Sequence, residues 1–209
     1  MSNGDKVFIV DDDEAVRDSI GMLLETLDIP YQTYPDAQAF LDDLPNQTVN
    51  CLVLDIRMPG MSGLELQEKL VAMKEEVPII FITGHGDIPM AVEAMRRGAL
   101  DFLRKPFRDQ ELLDRIQEAL SLDARHRLEA EDLATLRERV ADLTPREQEV
   151  FHRVATGQAN KVIAIELGIS ERTVEIHRSN VMQKTGSRSL ADLVRLLIKL
   201  EESEQKNIG

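Results

Sequence analysis

Cysteine is almost missing from this 209-residue sequence; Cys51 is its single example. One thiol cannot close an internal disulfide, and the composition fits a reducing, cytoplasmic setting. Cys51 opens an apolar run and reads as a small buried hydrophobe rather than a nucleophile. Long apolar runs are missing too. No stretch approaches the ~20 residues of a membrane-spanning helix, so no membrane is expected as a partner. Met1 to Lys6 is polar, without the basic start and apolar segment of a secretory signal. Positive charge is scarce: 25 Lys and Arg face 38 Asp and Glu, for a net charge of -13. The deficit is uneven. Residues 1–120 carry -12, residues 121–143 carry -2, residues 144–200 carry +3 and residues 201–209 carry -2. An acidic front joined to a mildly basic back points to two domains with different partners. A charge of +3 is by itself a weak nucleic-acid signal.

What is present is a strict alternation of strand and helix signals over the first 120 residues. Val7-Phe8-Ile9-Val10, Cys51-Leu52-Val53-Leu54 and Pro78-Ile79-Ile80-Phe81-Ile82 are continuous apolar runs. Tyr31–Thr33 and Leu100–Leu103 read as shorter strands. Between them, Val16, Ile20, Leu23, Leu24 and Leu27 recur at helical spacing. Pro35–Leu44, the stretch around Leu64, Leu66, Leu70 and Met73, and Met90–Arg97 read as further helices, and a last one starts at Asp109. Strands apolar throughout are buried on both faces, as in a parallel sheet covered by helices. Five such units make an α/β, doubly wound, five-stranded parallel sheet.

Four polar features stand where an apolar strand ends: Asp11-Asp12-Asp13, Asp55, Thr83 and Lys105. In an open parallel sheet these ends line one crevice, which gathers residues far apart in sequence. Clustered carboxylates repel, and a hard divalent cation, Mg²⁺, offsets that repulsion. A carboxylate such as Asp55 can attack a phosphoryl group, with Thr83 donating a hydrogen bond and Lys105 pairing with a phosphoryl oxygen. Taken singly, each residue has a plainer reading: Asp13 as a helix cap, Asp55 as a loop residue, Thr83 as a turn former, Lys105 as a solvated charge. The acidic run lacks the alternating spacing of a calcium loop. His85 lies between two glycines without a nearby His or Cys, so a loop hydrogen bond is expected of it rather than metal binding.

The segments VFIVDDD (Val7–Asp13), LDIRMPGMSG (Leu54–Gly63), ITGHGD (Ile82–Asp87) and LRKPF (Leu103–Phe107) closely resemble a response-regulator receiver of the FixJ/NarL branch, with a flavodoxin-like fold. The resemblance covers about residues 5–120. It implies that Asp55 is the phosphoacceptor. It implies that Asp12, Asp55 and the backbone carbonyl of Arg57 bind Mg²⁺, with Asp11 acting through water. Thr83 and Lys105 would contact the phosphoryl group. Phe102 matches the switch aromatic, which turns inward as Thr83 moves. The peptide before Pro106 is typically cis in such domains.

Beyond Leu112 the helical pattern runs through a charged segment to about Arg139. Leu133, Leu136, Val140 and Leu143 are spaced 3, 4 and 3, as in a coiled-coil seam, while His126 and Glu129 interrupt it upstream. The segment reads as one long linker helix, with pairing in a dimer or a frayed linker as alternatives. From Thr144 the pattern is all helical. Thr144-Pro145-Arg146-Glu147 has the form of a helix start. Asn160–Leu167, Gly168, a Ser170 cap and Glu171–Lys184 form helix, turn, helix; Ile163, Leu167, Ile169, Val174 and Val181 supply the seam between them. A fourth helix is expected from about Leu190 to Leu200. From pattern alone, a small interaction bundle remains an alternative.

LTPREQEV (Leu143–Val150), GQANKVIAIEL (Gly157–Leu167) and GISERTVEIHRSNVMQK (Gly168–Lys184) strongly resemble the LuxR-type DNA-binding domain over about residues 140–200. The second helix of the turn would then enter the major groove. Val174, Val181 and His177 face the seam. Glu175, Ile176 and Ser179 face outward, with Thr173 among the DNA-contacting set. Glu175 suits a cytosine amino group and Ile176 a thymine methyl. Lys161, Arg172, Arg178 and Lys184 suit phosphates. Glu175 stands where Lys is frequent, and Lys161 sits in an acid-balanced helix, so modest affinity and dependence on dimerisation are expected.

The domains expected are a receiver at 1–120, a linker helix at 121–142, a four-helix helix-turn-helix domain at 143–200 and a disordered tail at 201–209. The function expected is a phosphorylation-controlled transcription factor, an activator rather than an enzyme. Its partners would be a sensor histidine kinase, double-stranded promoter DNA, a second copy of itself on phosphorylation, and RNA polymerase. Three rivals remain. A dehalogenase-like phosphatase also uses an Asp nucleophile, but wants an acid where Arg57 stands. A phosphorylation-independent DNA binder would not need the intact Asp11, Asp12, Asp55, Thr83 and Lys105. A protein-interaction adaptor is disfavoured by the second resemblance.

Overall fold

The computed structural model describes residues 5–84 and 88–208. The chain divides into two compact units, Met1–His126 and Arg127–Gly209. Five strands build the first: β1 (Val7–Val10), β2 (Tyr31–Tyr34), β3 (Cys51–Asp55), β4 (Ile79–Thr83) and β5 (Asp101–Arg104). They alternate with α1 (Glu14–Glu25), α2 (Ala37–Asp43), α3 (Gly63–Ala72), α4 (Ile88–Arg96) and the start of α5 (Asp109–Ala141). Every strand pairing is parallel, in the order β2-β1-β3-β4-β5.

All residues of β1, β3 and β4 are buried, so their sequences show no polar alternation. Neighbouring side chains serve opposite faces of the sheet. Phe8, Val10, Leu52, Leu54 and Phe81 pack with Phe40 of α2, Leu66 and Leu70 of α3 and Ala91 of α4. Val7, Ile9, Val53, Ile80 and Ile82 pack with Ile20 and Leu24 of α1 and Ile116 of α5. Each buried Val, Leu, Ile or Phe among them stabilises the fold by about 1.5–3 kcal/mol. The rings of Phe8, Tyr34 and Phe40 meet with centroids 5.4–6.3 Å apart. Asn50 Nδ2 donates to Asp123 Oδ2 at 2.9 Å, and both residues are buried; this ties α5 to the foot of β3. Cys51 is fully buried, and that burial pushes its thiol up from the ordinary value.

The caps follow the sequence. Asp13 Oδ1 accepts from the Ala15 amide at 2.9 Å. Ser62 with Glu65, and Thr144 with Glu147, form reciprocal capping boxes. The Lys105–Pro106 peptide is cis.

The second unit holds the last part of α5, then α6 (Pro145–Ala155), α7 (Asn160–Leu167), α8 (Glu171–Thr185) and α9 (Leu190–Ile208). Its core contains Leu143, Val150, Phe151, Val154, Ile163, Val174, Val181, Leu193, Leu196 and Leu197. Leu136 and Val140 pack against that core. Three members of the seam that looked suited to a coiled-coil dimer are thus occupied within their own unit. The tail also departs from expectation, because α9 continues to Ile208 instead of ending near Leu200. Glu, Gln and Lys between 201 and 206 are good helix formers, and Arg137 Nη2 donates to Ser203 Oγ at 2.9 Å. No helix among the described residues is long and apolar enough to cross a membrane.

Candidate functional site

Strand register assembles the acidic crevice. Val10 lies beside Leu54, so Asp11 and Asp55 are the next residues at adjacent strand ends. Asp55 lies beside Ile82, and Thr83 follows, itself beside Arg104. Lys105 is the next residue after β5, and its amide donates to the Thr83 carbonyl at 2.7 Å. The Lys105 ammonium spans the crevice, 2.6 Å from Asp11 Oδ2 and 2.9 Å from Asp55 Oδ1. The Arg57 amide donates to Asp55 Oδ2 at 3.1 Å, and the Asp13 amide to Asp11 Oδ1 at 2.9 Å. Asp11 is buried completely and Asp55 almost so, while Asp12 is exposed.

Burial, followed by opposing help from Lys105, sets the charge of Asp55. Burial wins, and the carboxyl is raised above its ordinary value, with the Asp11 charge adding to the rise. Burial also works to lower the Lys105 ammonium, but its hydrogen bonds to Asp11 and Asp55 outweigh that and hold it above its ordinary value. The crevice groups three carboxylates around one lysine, so it carries net negative charge when all of them are ionised. One oxygen each from Asp11, Asp12 and Asp55 lies within 4.8 Å of the others. Hard oxygen donors of this kind, with a charge deficit between them, fit Mg²⁺.

Thr83 is buried and its Oγ1 donates to the Gly84 carbonyl at 3.3 Å. Phe102 of β5 is 37% exposed, turned out of the core. Arg57 is exposed in the loop after Asp55. An open cleft of about 570 Å³, lined by Asp12, Asp36, Gly60 and Met61 among others, adjoins the crevice. His85 and Asp87 lie outside the described residues.

In the second unit, α7 and α8 are joined by a turn at Gly168, which adopts φ +66 in the left-handed region. The Ser170 side chain caps α8 by accepting from the Thr173 amide. Val174 and Val181 are buried, and His177 is half-buried. Lys161, Arg172, Glu175, Ile176 and Ser179 are exposed, Ile176 to 55%. Thr173 is half-buried, with its hydroxyl 2.8 Å from that of Ser170. Two basic residues expected at phosphates also have partners inside the protein. Arg178 Nη1 donates to Asn160 Oδ1 at 2.7 Å, and Lys184 Nζ reaches Glu147 Oε2 at 2.6 Å.

Comparison with known proteins identifies the family of both segments. Residues 7–117 match the response regulator receiver domain, and residues 141–197 match the bacterial regulatory proteins of the luxR family. The chain belongs to the response regulators. It is 45% identical over 197 residues to the response regulator protein TodT of Pseudomonas putida, covering 94% of this chain and 87% of TodT. It is 44% identical over 202 residues to the transcriptional regulatory protein FixJ of Bradyrhizobium diazoefficiens, covering 95% and 97%. Among solved structures it resembles the response regulator StyR, with a TM-score of 0.83, 49% identity and coverage of 94% and 99%. Full-length FixJ from B. japonicum gives a TM-score of 0.60, 42% identity and coverage of 97% and 99%.

As a response regulator, the chain pairs a receiver with a LuxR-type DNA-binding domain in a family of transcription regulators, not enzymes. Membership implies a kinase partner and binding to DNA. Receiver domains bind Mg²⁺ at an acidic pocket, and the Asp cluster stands in that place here. Sequence reading missed Asn160 and Glu147 as partners of α8, and Asn180 of α8 as a second partner of Glu147. The only advance signal was the capping-box spacing of Thr144 and Glu147.

Proposed function

We propose that the receiver takes a phosphoryl group on Asp55 from a sensor histidine kinase, and that this controls dimerisation and sequence-specific DNA binding. The observation that carries the reading is the Asp55 carboxylate at the end of a central strand, 2.9 Å from Lys105 and grouped with Asp11 and Asp12. An oxygen of Asp55 forms the bond to phosphorus as the donor's bond to phosphorus breaks. Lys105 pairs with a phosphoryl oxygen, and Thr83 donates its hydroxyl to another. Asp12, Asp55 and the Arg57 carbonyl would hold Mg²⁺, with Asp11 acting through water; when bound, the ion would supply positive charge against carboxylates and phosphoryl oxygens.

The added charge of about -1.5 to -2 draws Thr83 and Lys105 toward Asp55. Phe102 then moves from its exposed position into the space Thr83 leaves. The remodelled surface pairs two copies and so raises binding to DNA, as a shift between states already in equilibrium. On DNA, Lys161 and Arg172 meet phosphates, with Glu175, Ile176, Ser179 and Thr173 toward the bases. The output is activation through RNA polymerase, in the cytoplasm. The residue ranges 1–120, 121–142 and 143–200 serve as phosphoacceptor, connector and reader. The test is labelling by a small phosphodonor with Mg²⁺. Asp55→Ala is expected to abolish it; undiminished labelling at another mapped residue would overturn the assignment.

A further inference from the structure

The basic residues near the recognition helix α8 fall into two groups. Lys161 and Arg172 are exposed. Lys184 is held. Its Nζ lies 2.6 Å from Glu147 Oε2 and 3.2 Å from the Asp142 carbonyl oxygen. Glu147 has a side chain only 5% exposed. Besides Lys184, it accepts from the Thr144 amide at 2.9 Å and from the Asn180 side chain. Asn180 and Lys184 are four apart, on one face of α8. Arg139 Nη1 adds a bond to the Thr185 carbonyl at 3.5 Å. Three side chains from outside or within α8 thus fasten its last turn to the segment around residues 139–147.

A nearly buried carboxylate is stable as an anion only when paired and hydrogen-bonded. Were Lys184 to swing out to a DNA phosphate, Glu147 would lose the one cation beside it among the described residues. Pairing inside the protein and pairing with DNA are therefore competing uses of the same ammonium, and the internal use is built in.

We propose that Lys184 is a positioning residue: with Glu147 and Asn180 it clamps the last turn of α8 to the start of α6, setting how the helix is presented to DNA, and it contacts no phosphate. The inference rests on the DNA-binding reading above. It predicts that removing Lys184 lowers specific affinity without releasing fewer counterions from DNA.

The experiment compares the full-length wild type with Lys184→Met, Lys184→Arg, Lys161→Ala and the double variant Glu147→Gln with Lys184→Met. Each is first checked for folding by circular dichroism. Affinity is measured against salt, on a duplex selected from random sequence and on a scrambled duplex. Hydrogen exchange of the amides in 180–185 is followed without DNA. Lys184→Met is expected to weaken the selected duplex by roughly tenfold, with an unchanged slope of log affinity against log salt. Lys161→Ala should lower that slope by about 0.9. Lys184→Met should also speed exchange in 180–185, with Lys184→Arg close to wild type. The double variant should recover part of both losses, because no carboxylate is stranded. A slope lowered by about 0.9 in Lys184→Met, or wild-type exchange in 180–185, would overturn the clamp. If the wild type itself fails to prefer the selected duplex, the DNA-binding reading falls, while the exchange data still decide the clamp.

Discussion

A side chain at residue 63 would place its Cβ 2.2 Å from the carbonyl oxygen of Asp55. The first residue of α3 must therefore be glycine for the β3–α3 loop to pass so close to the acidic crevice. In an ordinary helix position Gly→Ala stabilises by roughly 0.5–1 kcal/mol. Here Gly63→Ala is expected to destabilise by about 1–3 kcal/mol, as overpacking does, and to impair phosphodonor labelling. Thermal unfolding together with labelling checks both; a raised melting temperature would contradict the crevice geometry. Glu147 supports a second prediction at this scale. Its hydrogen bonds to Lys184 and to the Thr144 amide lower its pKa from 4.5 to about 2. Between those values the unfolded chain binds the extra proton, so the contribution of Glu147 is full above about 4.5 and is lost as pH falls toward about 2. Urea unfolding should show the wild type losing more stability than Glu147→Gln over that window. Equal losses would mean that the carboxylate has no special partner. Glu147 was legible as a helix-start residue, because capping acts between near neighbours. Its pairing with Lys184, 37 positions on, was not, since no local pattern encodes a contact between distant helices. The Arg178 bond to Asn160, 18 positions away, was hidden for the same reason.

Among the elements, the turn between α7 and α8 depends on one backbone conformation. Gly168 holds φ +66, and nothing stands within 4 Å of the place a Cβ would occupy. The cost of Gly168→Ala is then backbone strain alone, about 1–2 kcal/mol, with Gly168→Asn losing less. Thermal unfolding of the variants checks this order; an alanine variant as stable as wild type would contradict it. Strands were the most legible elements. β1, β3 and β4 are buried along their whole length, and so their apolar runs announced them. The acidic crevice was legible for a related reason, because its residues directly follow those runs. The end of α9 was not legible: Glu201 to Lys206 lack an apolar stripe, and their helix follows from propensity and from the Arg137–Ser203 bond. Of the spaced residues Leu133, Leu136, Val140 and Leu143, the last three form an apolar seam on the core of their own unit, and periodicity could not say which surface would cover it.

For the whole molecule, the acidic residues 1–120 and the mildly basic residues 144–200 fall in different compact units, as the charge distribution suggested. On the proposed function, a single event at Asp55 changes what both units do. The proposed phosphorylation is an energetic bias on an existing equilibrium, so a minor active population is expected in its absence. The extent of the bias is read by binding linkage: a chain that dimerises when modified must also bind paired half-sites more tightly. The most direct measurement is sedimentation and DNA affinity of the full chain, with and without a phosphoryl analogue and Mg²⁺, for the wild type and Asp55→Ala. The account predicts that the analogue shifts wild type toward dimer and raises its affinity for a selected duplex, while Asp55→Ala shows neither change. An unaltered oligomeric state and affinity in the wild type, or the same response in Asp55→Ala, would contradict it.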